Sequence, residues 1–182
     1  AEMAGDFRDR LRLTARQVVD ADDVDGAARD GDRTYYVYDA GGTRVRKVTE
    51  VGGVVKEERL YLGGVEIYRR HTGQHAGLER RTLHVMDDER RIALVDLRNN
   101  VDDGAPSMLA RYQLGNHLGS TTLEVDDQAN LVSYEEYSPY GSTTYQAVRA
   151  DIQVPAKRYR YTGKERDEES GLSYHGARYY AP

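Results

Sequence analysis

Tyr112-Gln-Leu-Gly-Asn-His-Leu-Gly-Ser-Thr-Thr-Leu-Glu-Val-Asp126, then Tyr134-Glu-Glu-Tyr-Ser-Pro-Tyr-Gly141, then Tyr159-Arg-Tyr-Thr-Gly-Lys-Glu-Arg-Asp-Glu-Glu-Ser-Gly-Leu-Ser-Tyr-His-Gly-Ala-Arg-Tyr-Tyr180: here tyrosines, glycines and charges alternate in short bursts. No long apolar run interrupts them. Such a pattern suits β-hairpins that build a wall, not a compact enzyme core.

Working outward, a short unit recurs. An Asp ends an extended stretch, a polar turn follows, and an apolar residue starts the next stretch. The copies begin at Asp6, Asp39, Asp87 and Asp126 and end at Leu11, Val45, Ile92 and Leu131. An Asp at a turn's first position can accept a backbone N–H two residues on. Flanking β-branched and aromatic residues then zip into an antiparallel pair. Thr34-Tyr-Tyr-Val-Tyr38, Thr82-Leu-His-Val-Met86 and Thr121-Thr-Leu-Glu-Val125 lead into three of these turns. The copies are unevenly spaced, so the reading is a meander of hairpins and not a solenoid of fixed period. Gly63-Gly64, between Arg59-Leu-Tyr-Leu62 and Val65-Glu-Ile-Tyr68, marks the clearest two-residue hairpin. Asp20 to Arg33 and Asn99 to Ser107 read as loops, and Thr144 to Pro155 carries little signal. Phe7 to Val19 has Leu11 and Val18 seven apart, as a helix would, but the turn at Asp6 makes it the second arm of a hairpin. Helix content is expected far below the usual third.

Composition sets limits. Leu, Val, Ile and Phe together supply 35 of 182 residues, close to the disordered range, whereas tyrosine alone supplies 15. The net charge is only −5, so self-repulsion is weak. Tyrosines offer large buryable faces, each with a hydroxyl that needs a partner. An ordered β structure, wetter than a usual core, follows. There is no cysteine, which excludes a disulfide framework. No stretch approaches the roughly 20 apolar residues of a membrane span. The start Ala-Glu-Met-Ala-Gly carries no leader signal and is expected to be internal to a longer reading frame. A pI near 5.6 argues against a general nucleic-acid role.

Several constellations invite chemistry and lack a requirement for it. With Gly26 as the sixth position of a calcium loop, Asp23 and Asp25 fit, but Ala21 and Asp32 stand where two key ligands belong. His71, His75, His84, His117 and His175 show no clustering suited to zinc. His117 lies in Gly115-Asn-His-Leu-Gly119 with no nucleophile or second acid at a recognisable spacing. Asn116 and His117 are expected to tie neighbouring strands at a turn. Glu135 and Glu136 are adjacent on a strand, face opposite ways, and cannot flank one glycosidic bond. Gly119, Gly163, Gly171 and Gly176 serve turns or close strand approach. The run Lys164 to Glu169 mixes signs, as solvated faces do. No catalytic residue, metal or cofactor is assigned.

The repeat unit resembles a degenerate Tyr-Asp repeat, kept literally at Tyr38-Asp39. Leu83 to Val95, Gly-Asn-His-Leu-Gly-Ser at 115–120, Glu-Tyr-Ser-Pro-Tyr-Gly at 136–141 and Tyr-Thr-Gly-Lys-Glu-Arg-Asp at 161–167 follow in the order seen in the core-associated segment of Rhs and YD-repeat proteins, including subunits of bacterial insecticidal toxin complexes. The resemblance is strong from Leu83 to Tyr180 and weaker before Tyr35. It implies an all-β chain, an antiparallel meander of β-hairpins forming a curved ribbon sheet within a hollow YD-repeat shell. Residues 1–182 then form one segment, with a weakly matching hairpin and acidic loop at 1–33 and core repeats at 34–182. Such shells enclose a C-terminal toxin and are delivered out of a bacterial cell. The implied partners are the rest of the same polypeptide, the enclosed toxin and a delivery machine. In the family, self-cleaving Asp-Pro motifs follow the Tyr-Tyr-x-Pro end, and this chain stops at Pro182. Arg166 and Asp167 are implied to pair with a neighbouring strand inside the shell. The rival reading is a carbohydrate- or cell-surface-binding β module, since aromatic faces stack on sugar rings.

Overall fold

The structure, a computed structural model, describes residues 2–6, 8, 10–18, 29–88, 90–150, 154–176 and 178–182. Twelve strands run in chain order: β1 (Glu2–Gly5), β2 (Leu11–Val18), β3 (Arg29–Tyr38), β4 (Arg44–Val51), β5 (Val54–Leu62), β6 (Val65–Arg70), β7 (Glu79–Asp87), β8 (Arg90–Arg98), β9 (Met108–Gly115), β10 (Thr121–Val125), β11 (Leu131–Tyr137) and β12 (Thr143–Val148). Each pairs antiparallel with its sequence neighbours in one sheet. A smaller sheet follows, made of β13 (Glu165–Arg166), β14 (Ser173–Tyr174) and β15 (Tyr179–Tyr180). Among the described residues the only helical turn is a 3-10 turn at Tyr161–Gly163. The meander is as the hairpin reading expects. Two boundaries differ: β3 begins at Arg29, inside the expected loop, and β12 occupies the stretch that carried little signal. The Asp20–Gly26 segment of the calcium reading lies outside the described residues.

One loop design recurs. At Asp6, Asp39, Asn116, Asp126 and Ser138 the first residue's N–H donates to the carbonyl four residues on. The side-chain oxygen of that first residue accepts the returning N–H, from Arg10, Thr43, Ser120, Asn130 and Ser142 respectively. Gly42, Gly119, Ala129 and Gly141 take the left-handed conformation at the fourth position. This is a three-residue connection of a type I turn followed by a left-handed residue, and it carries a bulge. The ladder registers slip beside these loops, between Val37 and Tyr38, Glu124 and Val125, and Glu136 and Tyr137. Asp87 departs from the reading. It pairs directly with Arg90, and Asp88 beside it takes φ 49°.

The sheet is curled. Thr14 of β2 and Arg111 of β9 line the same cavity of about 620 Å³. A flat sheet would put those strands some 34 Å apart, seven spacings of about 4.8 Å. The curl closes around residues 154–182, so the concave face is covered and not open as a one-layer wall would be.

The polarity of the curl is inverted. One row across its concave face reads Tyr36, Lys47, Arg59, Tyr68, Arg80, Arg98. The row beside it reads Tyr61, Glu66, Thr82, Asp96, Leu109. Alternation sends the neighbours of these residues outward. There the rows read Val37, Arg46, Leu60, Ile67, Arg81, Leu97, Met108 and Leu62, Val65, Leu83, Val95, Ala110. Leu62, Leu83, Leu97 and Met108 remain about half exposed. The largest fully buried side chains are Arg44, Glu66, Glu124 and Glu135.

Gly141 shows how tightly the last segment seats. Its φ is 86°, and a Cβ there would lie 2.6 Å from the Tyr161 ring. Gly141→Ala is expected to lower stability in urea titration by at least ~2 kcal/mol, from backbone strain plus the clash. Gly63→Ala, at φ 64° with nothing nearby, should cost only the backbone share, ~1 kcal/mol.

Candidate functional site: the ionic seam beneath the C-terminal segment

The functional candidate is the seam between the concave face and residues 154–182. Arg44 opens β4, just after the Asp39 loop, where the bulge turns its side chain inward opposite Tyr38. Its Nη1 donates to Asp167 Oδ2 and its Nη2 to Glu165 Oε2, each at 2.6 Å. Arg44 is 2% exposed and Asp167 0%. The guanidinium lies 4.4 Å from the Tyr174 ring centroid, 5.0 Å from Tyr61 and 5.6 Å from Tyr36. Each stacked face adds attraction that strengthens where water is excluded. Lys47 donates to Asp167 and Glu169. Burial acts to lower the Lys47 pKa, but Asp167 and Glu169 outweigh it and hold the ammonium charged above its ordinary value.

A second knot sits on β6. Glu66 accepts from Tyr159 Oη, from Arg158 Nη2 and from Arg59 Nη1. His84 Nδ1 accepts from Arg91 Nε at 3.0 Å, which puts the ring proton on Nε2, 2.8 Å from Glu66 Oε1. Arg91 covers the Tyr159 ring at 3.6 Å. Burial works to raise the Glu66 carboxyl, yet Arg158, His84 and Arg59 bring it well below the ordinary glutamate value. Glu165 behaves alike: against burial, Arg158 and Arg44 hold it at about 2. Burial pushes the Tyr61 and Tyr159 phenols far up, so they stay protonated and donate to Glu165 and Glu66.

The third knot is on β11. Glu135 accepts from Tyr137, Thr143 and Arg160, with Lys157 Nζ 3.4 Å away. Glu136 points outward and accepts from Tyr134. The two glutamates therefore face apart, as alternation requires. Thr121 N donates to Arg160 O, and Thr162 N to Ser120 Oγ. Tyr161 Oη reaches Pro139 O and Tyr180 Oη reaches Tyr140 O, clasping the Ser138–Ser142 loop.

The residues singled out in the sequence fall into three groups. Asp6, Asp39, Asp126 and Asn116 cap their own loops; Gly119 supplies a left-handed position. Gly163 is also left-handed, and a Cβ there would meet Gly119 O at 3.3 Å, so two loops touch at their glycines. Tyr38 donates to Leu11 O and meets Tyr179 Oη at 3.0 Å, joining β3 to the C-terminal segment. Asp167 accepts from Arg44 and Lys47 of β4. Arg166 pairs through its backbone with Ser173 of β14 and donates its N–H to Arg158 O. His117 is exposed at its loop tip and ties no strands together. The run 164–169 is no solvated face, since Glu165 and Asp167 are buried. Sequence reasoning missed Arg44, Glu66, Arg158 and Tyr159. Their signal was faint: a charge placed in register with tyrosines on an otherwise alternating strand.

Several tyrosine faces on the concave side are taken by cations: Tyr61 and Tyr174 cover Arg44, Tyr68 is covered by Arg59, and Tyr159 by Arg91. Tyr112, Tyr140 and Tyr145 stay exposed on the outside. Among the described residues no cluster of His, Asp and Glu is arranged to hold a metal ion. No helix among them is long and apolar enough to cross a membrane.

A curled YD-type ribbon locked onto its own C-terminal segment by buried charge defines a β-meander protein of the Rhs type. The chain is 39% identical over 169 residues to the toxin subunit YenC1 of Yersinia entomophaga, and 35% identical over 156 residues to YenC2 of the same organism. These alignments cover 87% and 83% of this chain but 17% and 16% of the relatives, so the chain spans about a sixth of their length. A TcdB2–TccC3 crystal structure superposes with a TM-score of 0.78 at 28% identity, covering 99% of this chain and 8% of that one. The same complex without its hypervariable C-terminal region gives 0.80 at 29%, again covering 99% and 8%. A Tc holotoxin pore from Photorhabdus luminescens gives 0.76 at 29%, over 98% of this chain and 8% of that one. No family model matches the chain. The chain belongs to the Rhs and YD-repeat proteins of bacterial toxin complexes and is homologous to their C subunits.

Two outcomes test the seam. Arg44→Met strands Glu165 and Asp167 beneath the segment and is expected to cost about 3–5 kcal/mol in urea titration. Acid should also loosen it. Glu66 and Glu165 ionise more readily folded than unfolded, so their contribution is complete above the ordinary glutamate value of 4.5 and fades as pH falls toward about 2. The melting temperature, measured from pH 6 to pH 2.5, should drop mainly below pH 4.5.

Proposed function

We propose that this chain is a non-catalytic wall segment of a toxin-complex shell, one unit over residues 1–182, that helps enclose a C-terminal toxin polypeptide of the same protein. One observation carries the reading: residues 154–182 are held inside the curl by Arg44, Glu66 and Glu135. Tyr179 lies on the concave side, where its Oη meets Tyr38 and Arg44. A polypeptide continuing past residue 182 would start beside that face. The seam's ionisable groups are consumed in mutual pairing, which supports a wall and not a reactive centre. The covered tyrosine faces of the concave side speak against sugar binding there. Kinship with toxin subunits supports delivery out of a bacterial cell in company with other toxin polypeptides.

The test uses the full-length protein that carries this segment. Under limited proteolysis the polypeptide beyond residue 182 should survive at least about tenfold longer than the same polypeptide alone, and Arg44→Met should remove that protection. Equal cleavage rates for the enclosed and isolated polypeptide would refute the proposal.

A further inference from the structure

The long sheet ends differently on its two sides. The edge at β1 is blunted: the strand is four residues long, and its register slips between Ala4 and Gly5. Short length and a bulge are devices by which natural sheet edges avoid further pairing. β12, at the other edge, has none of these devices. Its six residues read Thr-Thr-Tyr-Gln-Ala-Val, with no charge, proline or glycine. Their β-branched and aromatic members favour an extended strand. The register with β11 runs without a slip from Ser133–Val148 to Glu136–Tyr145. Among the described residues no strand pairs with the outer side of β12. Thr144, Tyr145, Gln146 and Val148 are exposed.

The register also fixes which backbone groups of β12 point outward. Arg149 N donates to Val132 O, so the Val132–Arg149 position is a hydrogen-bonded one. Along an antiparallel ladder such positions alternate with positions whose N–H and C=O groups turn away from the partner. Ala147 and Tyr145 therefore bond to β11, opposite Tyr134 and Glu136. Val148, Gln146 and Thr144 turn their amides to the outer side. They present donors and acceptors at the spacing that a further antiparallel strand requires.

We propose that β12 is a self-association edge, pairing antiparallel with β12 of a second copy of this chain. The pairing centres on Gln146, which faces its own counterpart, with Thr144 of each strand opposite Val148 of the other. The neutrality of the strand is what singles out a second copy as the occupant. A strand that meets itself across a two-fold axis sets each side chain near its like, and like charges there would repel. The contact is isologous, so one pairing consumes both β12 edges and association stops at two copies. A ladder of six residues is small, and the dimer is accordingly weak and concentration-dependent. This inference goes beyond the enclosure reading and does not rest on it.

The test is sedimentation velocity of the full-length protein that carries this segment, over a range of concentrations. The sedimentation coefficient should rise to that of a dimer and no further. Gln146→Lys sets two ammonium groups against each other at the axis and should weaken the dimer about tenfold or more. Gln146→Pro removes the central outward N–H while sparing the ladder with β11, and should weaken it as much. Leu97→Ala, on the convex face, should leave the dimer unchanged. A monomer at every concentration overturns the proposal. So does a dimer that survives both Gln146 variants. A dimer lost in Leu97→Ala and kept in Gln146→Lys would put the contact on the convex face and likewise overturn it. Growth beyond two copies contradicts it too, because a two-fold pairing leaves no β12 edge to extend.

Discussion

Everything in this fold depends on a guanidinium removed from water. Arg44 has exchanged its hydration for two carboxylates and three tyrosine rings. A buried charge with that many partners is tolerable, and the same charge with one fewer is not. The seam is therefore all-or-none. Either residues 154–182 dock and every ion is answered, or they lift and several unpaired charges face each other across an empty curl. A leucine core would tolerate partial docking far better, since apolar contact is non-directional. Here geometry selects one arrangement, and the geometry is that of fork-shaped Arg–carboxylate pairs.

The inverted polarity follows from the same constraint. A chain with 35 Leu, Val, Ile and Phe residues cannot fill both faces of a twelve-stranded sheet. Many of the aliphatic residues stand on the convex face in register, Leu62 beside Val65 beside Leu83. The concave face is satisfied by tyrosine, arginine and glutamate, whose long side chains cover area while their polar ends meet partners. Tyrosine is the common element. Its ring accepts a cation at Arg91 and Arg44, while its hydroxyl donates to Glu66 and Glu165.

Local rules made the hairpins legible. Asp6, Asp39 and Asp126 act at their loops through the backbone N–H groups that a short acidic side chain can reach, a property of five consecutive residues. Asn116 and Ser138 do the same with other oxygens; Asn116 was expected at a turn, but a rule written for aspartate did not extend to Ser138. Asp87 carried the letter and not the loop, because it pairs directly with Arg90 and leaves only two residues between them. The seam was illegible for the opposite reason. Arg44 meets Glu165 and Asp167 from 121 and 123 residues away, and nothing local separates it from Arg46, which is half exposed and pairs with Glu58 instead. The run Lys164–Glu169 looks solvated until the curl supplies cations to it. The family resemblance reached Asp167, since it reports a global arrangement that composition and periodicity do not encode.

The most direct measurement is a double-mutant cycle between Arg44 and Asp167, read by urea unfolding of the wild type, Arg44→Met, Asp167→Asn and the double variant. A bridge on which docking depends predicts strong coupling, with the double variant more stable than the sum of single losses by roughly 1–3 kcal/mol. Additivity within about 0.5 kcal/mol would show two independent residues and contradict the ionic account of how the C-terminal segment is held.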